Sequence, residues 1–192
     1  MSQITNPSKG SPKAQLESLV GEFFDPIGAL GTFDLAHHLP APFDELLDHE
    51  GHMTVTVEAF HRSLVDVVVH RTRIDEAAGD DDRPRAYLRE ITLTSRASNK
   101  VVQYGIVRLD PSALAMDVWQ EIASQSTPLG RVLIDHAVMR DVKLCQLWKV
   151  TAGPRLANCL TLDEGEVTYG RTAMIYCDEK PAIELLEIVR SP

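Results

Sequence analysis

The stretch "RAYLREITLTSRASNKVVQYGIVRL", residues 85–109, decides the fold. Two runs rich in β-branched and aromatic residues, Arg85–Ser95 and Val101–Leu109, are joined by the short polar "RASNK", the pattern of an antiparallel hairpin. Side chains alternate between the faces of a strand, so Tyr87, Arg89, Ile91 and Leu93 share one face and Ala86, Leu88, Glu90 and Thr92 the other. Arg89 therefore falls among apolar neighbours. An unpaired guanidinium in a dry core is costly, so Arg89 calls for a carboxylate, supplied either by the protein or by a ligand.

Working outward, "HMTVTVEAFHRSLVDVVVHRTRI" (52–74) alternates or runs apolar around a polar turn near residues 61–63 and predicts a first hairpin. Between the two hairpins lies the acidic loop "EAAGDDDRP" (76–84). Farther upstream, "PKAQLESLVGEFFD" has helical apolar spacing, and "PAPFDELLDHE" predicts a second short helix opened by proline. Downstream, "DPSALAMDVWQEIA" and "TPLGRVLIDH" read as helices, and "VMRDVKLCQLWKV", "EVTYGRTAMIYC" and "KPAIELLEIV" read as strands. Strands joined mostly by hairpins, with helices grouped between them, predict an α+β domain on a single antiparallel sheet. Residues 1–12, polar and proline-containing, read as a flexible leader, and 13–192 as one domain.

Composition narrows the function. A chain of 192 residues, 44% hydrophobic and with formal net charge -9, can bury a core but offers no basic run for phosphate backbones, so nucleic acid is not an expected partner. No segment approaches a membrane-spanning length, and the N-terminus lacks an apolar signal region, so a cytoplasmic chain without membrane insertion is expected. Cys145, Cys159 and Cys177 lack metal-ligand or disulfide spacing and read as packing residues. The histidines of "AHHLP" and "DHEGH" lack the HExxH spacing, so no metal is expected.

The last strand carries two more residues of interest. Ile183, Leu185, Glu187 and Val189 share one face, and Ala182, Glu184, Leu186 and Ile188 the other, so each face holds one glutamate among apolar neighbours. One of them can pair internally with Arg89 or Arg171, or can act as a general acid if desolvated. Alternation alone leaves both open.

Four stretches in this order, "EGHMTVTVEAF", "AYLREITL", "TPLGRVLI" and "YGRTAMIYCDEKPAIELLEIV", together resemble the bacterial chorismate lyases over about residues 45–190. The resemblance implies an antiparallel sheet of about six strands, with helices and flaps covering a buried ligand pocket. It implies a cofactor-free, metal-free lyase that converts chorismate to 4-hydroxybenzoate, a quinone precursor, and pyruvate. Carried over by residue, it places the carboxylate-binding arginine at Arg89, ligand contacts at Met53 and Leu129, and the catalytic acid at Glu187, with Glu184 as a rival in the same strand. Arg171 is the expected second cation for the substrate, so the implied catalytic pair is Glu187 and Arg89. The same fold type also serves as a non-catalytic effector-sensing domain for small aromatic acids. That alternative loses weight because the first 45 residues do not read as a helix-turn-helix unit. A monomer or homodimer is expected.

Overall fold

The computed structural model describes residues 10–76 and 83–190. Residues 1–9 of the expected leader and 77–82 of the acidic loop lie outside them. A seven-stranded sheet organises the chain: β1 (Gly31–Ala36), β2 (Val65–Asp75), β3 (Ala86–Ser95), β4 (Val101–Leu109), β5 (Arg140–Ala152), β6 (Val167–Cys177) and β7 (Lys180–Val189). Their order across the sheet is β1-β5-β6-β7-β4-β3-β2, and every neighbouring pair is antiparallel. The helices are α1 (Pro12–Gly21), α2 (Phe43–Leu47), α3 (Met53–His61), α4 (Met116–Ala123), α5 (Leu129–Asp135) and α6 (Pro154–Leu160).

The expected α+β class and antiparallel sheet hold, with three differences in detail. The segment expected to form the first strand of the first hairpin is instead α3. "TVTV" alternates as a strand would, yet Val57 is fully buried while Val55 is 44% exposed, a divergence between i and i+2 that helical geometry produces and a half-buried strand does not. The helix stops where Arg62 enters the left-handed region at φ 49° and donates its N–H back to the last turn. The sheet also gains β1, which pairs along β5 from Gly31↔Ala152 to Ala36↔Leu147, and α6 follows β5; neither was expected from the sequence.

The two faces of the sheet bury different things. One packs α1 and α6 over Tyr104, Ile106, Trp148, Leu186 and Ile188 in a continuous apolar cluster. The other is covered by α2 to α5, and its apolar residues divide into two clusters. One is built around Val107, Leu129, Val142, Ile175 and Leu185, the other around Met53, Val57, Ile91 and Leu93. Polar side chains occupy the seam between these clusters, and that seam is the candidate site.

Candidate functional site

Residues from both clusters enclose a narrow cleft with about 530 Å³ of space not filled by protein atoms, its open mouth included. β3 contributes Arg89, Ile91 and Leu93; β4 contributes Gln103, Gly105 and Val107; β6 and β7 contribute Arg171 and Glu187. The starts of α3 and α5 close it from above with His52, Met53, Thr54, Leu129 and Gly130. An apolar slot with a few convergent polar groups is the usual form of a small-molecule site. Five sequence-predicted residues from distant parts of the chain, Met53, Arg89, Leu129, Arg171 and Glu187, therefore line one cleft.

Arg89 is 1% exposed, and its Nε and Nη1 have no hydrogen-bond partner among the described residues. Burial pushes its pKa down from the ordinary value, and the nearby Tyr87 hydroxyl pushes the other way without meeting hydrogen-bond geometry. The carboxylates that could have satisfied it are engaged elsewhere. Glu187 accepts from Arg171 Nε at 2.8 Å, its directly opposite partner in the β6–β7 register. Glu184, on the opposite face of the sheet, accepts from Arg108 Nε at 2.7 Å.

Arg171 acts as a strut. Fully buried, it donates through Nη1 to the His49 carbonyl at 2.6 Å and through Nη2 to the Gly51 carbonyl at 2.9 Å, in addition to Glu187. It thereby ties the segment that leads into α3 to the sheet. His49 fits the same arrangement: its Nε2 bonds the Leu46 carbonyl at 2.9 Å, and its Nδ1 accepts from the Gly51 N–H at 3.0 Å. Its pKa is lowered, chiefly by burial and then by Arg171. His52, next along this segment, accepts from Arg140 Nε, and burial with the charges of Arg140 and Arg171 lowers its pKa to about 4. The imidazole is therefore neutral at physiological pH.

α3 begins at Met53 with His52 as its N-cap, and the His52 side chain makes no capping bond. The first N–H groups of the helix thus start beside the cleft that Met53 and Thr54 line. α5 approaches closely because Gly130 has no side chain: a Cβ there would lie 2.8 Å from Thr54 Oγ1.

Sequence reasoning missed Gln103, Gly105 and His52 as lining residues. Gln103 shares the face of β4 that bears Gly105 and Val107, so the alternation that singled out Arg89 carried a signal for it as well. His52 carried none, since the segment around it was expected to be a strand. The three cysteines are free thiols; Cys159 and Cys177 are buried in the apolar clusters, and burial pushes Cys177 up to about 11. No helix among the described residues is long and apolar enough to cross a membrane.

No family model and no curated protein matches the chain. Among solved structures it is similar to PhnF from Mycobacterium smegmatis, at 12% identity over 94% of this chain and 81% of that one, with a TM-score of 0.55. It is similar also to the effector domain of PhnF from the same organism, at 13% identity over 73% of this chain and 89% of that one, with a TM-score of 0.54. At such identities the likeness is one of fold, a chorismate lyase-like antiparallel sheet with covering helices.

Proposed function

We propose that this chain binds a small aromatic or cyclic carboxylic acid in the cleft, with the ligand carboxylate on Arg89, as an effector-sensing domain does. The observation that carries this reading is a buried guanidinium beside an apolar slot, with two donor atoms that have no partner among the described residues. A carboxylate there would supply the missing charge-assisted hydrogen bonds, each worth about 1.5–3 kcal/mol net. The uncapped start of α3, whose first residues line the cleft, adds N–H groups and the positive end of the helix dipole. Met53, Leu129, Val107 and Leu185 would pack against the ring. That a solved effector domain shares the fold is consistent with a domain that binds its ligand without transforming it.

A second reading, chorismate lyase, is favoured by one observation: Met53, Arg89, Leu129 and Glu187 line a single cleft, as the resemblance implies. Against it stands the state of Glu187. Its carboxylate already accepts from the buried Arg171 Nε at 2.8 Å, so it is committed to an internal ion pair instead of facing a leaving enolpyruvyl oxygen. The binding reading is therefore preferred.

Two measurements on the purified protein separate the readings. Thermal stabilisation by 4-hydroxybenzoate with no pyruvate released from chorismate supports binding alone. Pyruvate release matched by 4-hydroxybenzoate formation would establish the lyase. Neither stabilisation nor turnover with any small aromatic acid would remove both.

A further inference from the structure

We propose that Gln103 is the second polar anchor of the cleft, accepting a hydrogen bond from a donor at the far end of the ligand ring. The site would thereby prefer carboxylic acids bearing an O–H or N–H there over those without one. This inference rests on the reading that the ligand carboxylate lies on Arg89.

Gln103 is 3% exposed, lines the cleft, and its Oε1 has no hydrogen-bond partner among the described residues. Leaving a buried acceptor without a donor is costly, so a native protein that keeps one facing a cavity has a reason to do so. Glu187, another side-chain acceptor in the cleft, already receives Arg171 Nε, so it is the less available of the two.

The strand geometry sets the spacing. Arg89 stands opposite Val107 on β4, and Gln103 lies four residues farther along the same strand, opposite Leu93 and Val189. At about 3.3 Å per residue the two backbone positions are about 13 Å apart, enough for one ring between two long side chains. Between them is Gly105, opposite both Ile91 and Glu187. A Cβ at Gly105 would meet Ile91 Cδ1, Ile91 Cγ1 and the Leu186 carbonyl oxygen, each at 3.4 Å, so the glycine keeps the floor of the slot low where the ring would lie. The cleft thus pairs donors only at one end, on Arg89, with an unmet acceptor at the other, on Gln103. A ring with a carboxylate at one end and a hydroxyl or amino group at the other matches both.

The test uses calorimetric titration of four probes: benzoate, 4-hydroxybenzoate, 4-aminobenzoate and 4-nitrobenzoate, whose nitro group only accepts. The wild type should bind the hydroxy and amino acids about tenfold more tightly than benzoate or 4-nitrobenzoate, as expected for one buried hydrogen bond. Gln103→Leu should erase that gap, bringing the hydroxy and amino acids down to the affinity of benzoate, whereas a merely structural role would weaken all four acids alike. Gln103→Glu, which keeps an acceptor, should keep the preference for donors. Equal wild-type affinity for benzoate and 4-hydroxybenzoate, a preference for 4-nitrobenzoate, or a gap that survives Gln103→Leu would overturn the role of Gln103 and leave the Arg89 reading standing. Failure of every acid to bind the wild type would remove both.

Discussion

Arg89 and Glu90, adjacent in β3, are both fully buried, and only one of them is satisfied. Glu90 accepts from Arg71 Nε at 2.6 Å, Arg155 Nε at 2.9 Å and the Tyr104 hydroxyl at 2.8 Å, while Arg89 Nε and Nη1 have no partner among the described residues. Burial works to raise the Glu90 pKa, but the bonds from Arg155, Arg71 and Tyr104 outweigh it and hold the carboxyl below its ordinary value. One buried charge is fully satisfied and its neighbour is left open beside a cavity, the asymmetry on which the proposed ligand role of Arg89 rests.

Arg89→Met should therefore raise the stability of the unliganded protein. The substitution keeps much of the side-chain bulk and removes a desolvated charge that no described partner compensates. Thermal denaturation checks it, and a lower midpoint would mean that Arg89 has an internal partner.

Glu187→Leu should destabilise the protein by about 3–5 kcal/mol, because it strands the buried Arg171 that it pairs with at 2.8 Å. The double change Glu187→Leu with Arg171→Met should cost less than the sum of the two single changes, since the stranded charge is then gone. Denaturant unfolding of the four proteins measures the coupling.

Gly130→Val tests the packing of α5 on α3. Its Cβ would lie 2.8 Å from Thr54 Oγ1, and overpacking of this kind costs about 1–3 kcal/mol. A drop of roughly 2–4 °C in midpoint per kcal/mol is expected for a chain of this size. An unchanged midpoint would show that the two helices can separate freely.

Acid should loosen the segment that leads into α3. The His52 pKa is lowered from 6.5 to about 4, so between these values the unfolded chain binds the proton more readily than the folded one. The stability that the neutral imidazole contributes is complete above pH 6.5 and is lost as the pH falls toward 4. Protonation would set His52 against Arg140, whose Nε it accepts, and against Arg171. The thermal midpoint of His52→Gln should fall less steeply across that range than the wild type's, and parallel curves would exclude the role.

Much of this was legible in the sequence, for definite physical reasons. β3, β4, β6 and β7 are long and alternate or run apolar, and their parity placed Arg89 among apolar neighbours and Glu187 and Glu184 on opposite faces of β7; the registers add that Arg89 and Glu187 share a face of the sheet. What parity could not reveal is who pairs with whom. Arg171 lies directly across from Glu187, and Arg108 across from Glu184, and these pairings depend on a β4–β7–β6 strand order that local patterns do not encode. The α3 segment was misread because residues 54–57 alternate by composition while tertiary contact buries only one face of a helix. β1, six residues at the sheet edge, is too short to signal itself.

The most direct test of a ligand-binding Arg89 is calorimetric titration of 4-hydroxybenzoate into the wild type and Arg89→Met, with both proteins shown to be folded. Saturable binding to the wild type and a loss of at least about tenfold in Arg89→Met is the predicted result, the equivalent of one charge-assisted contact. Equal affinity in the two proteins would contradict it.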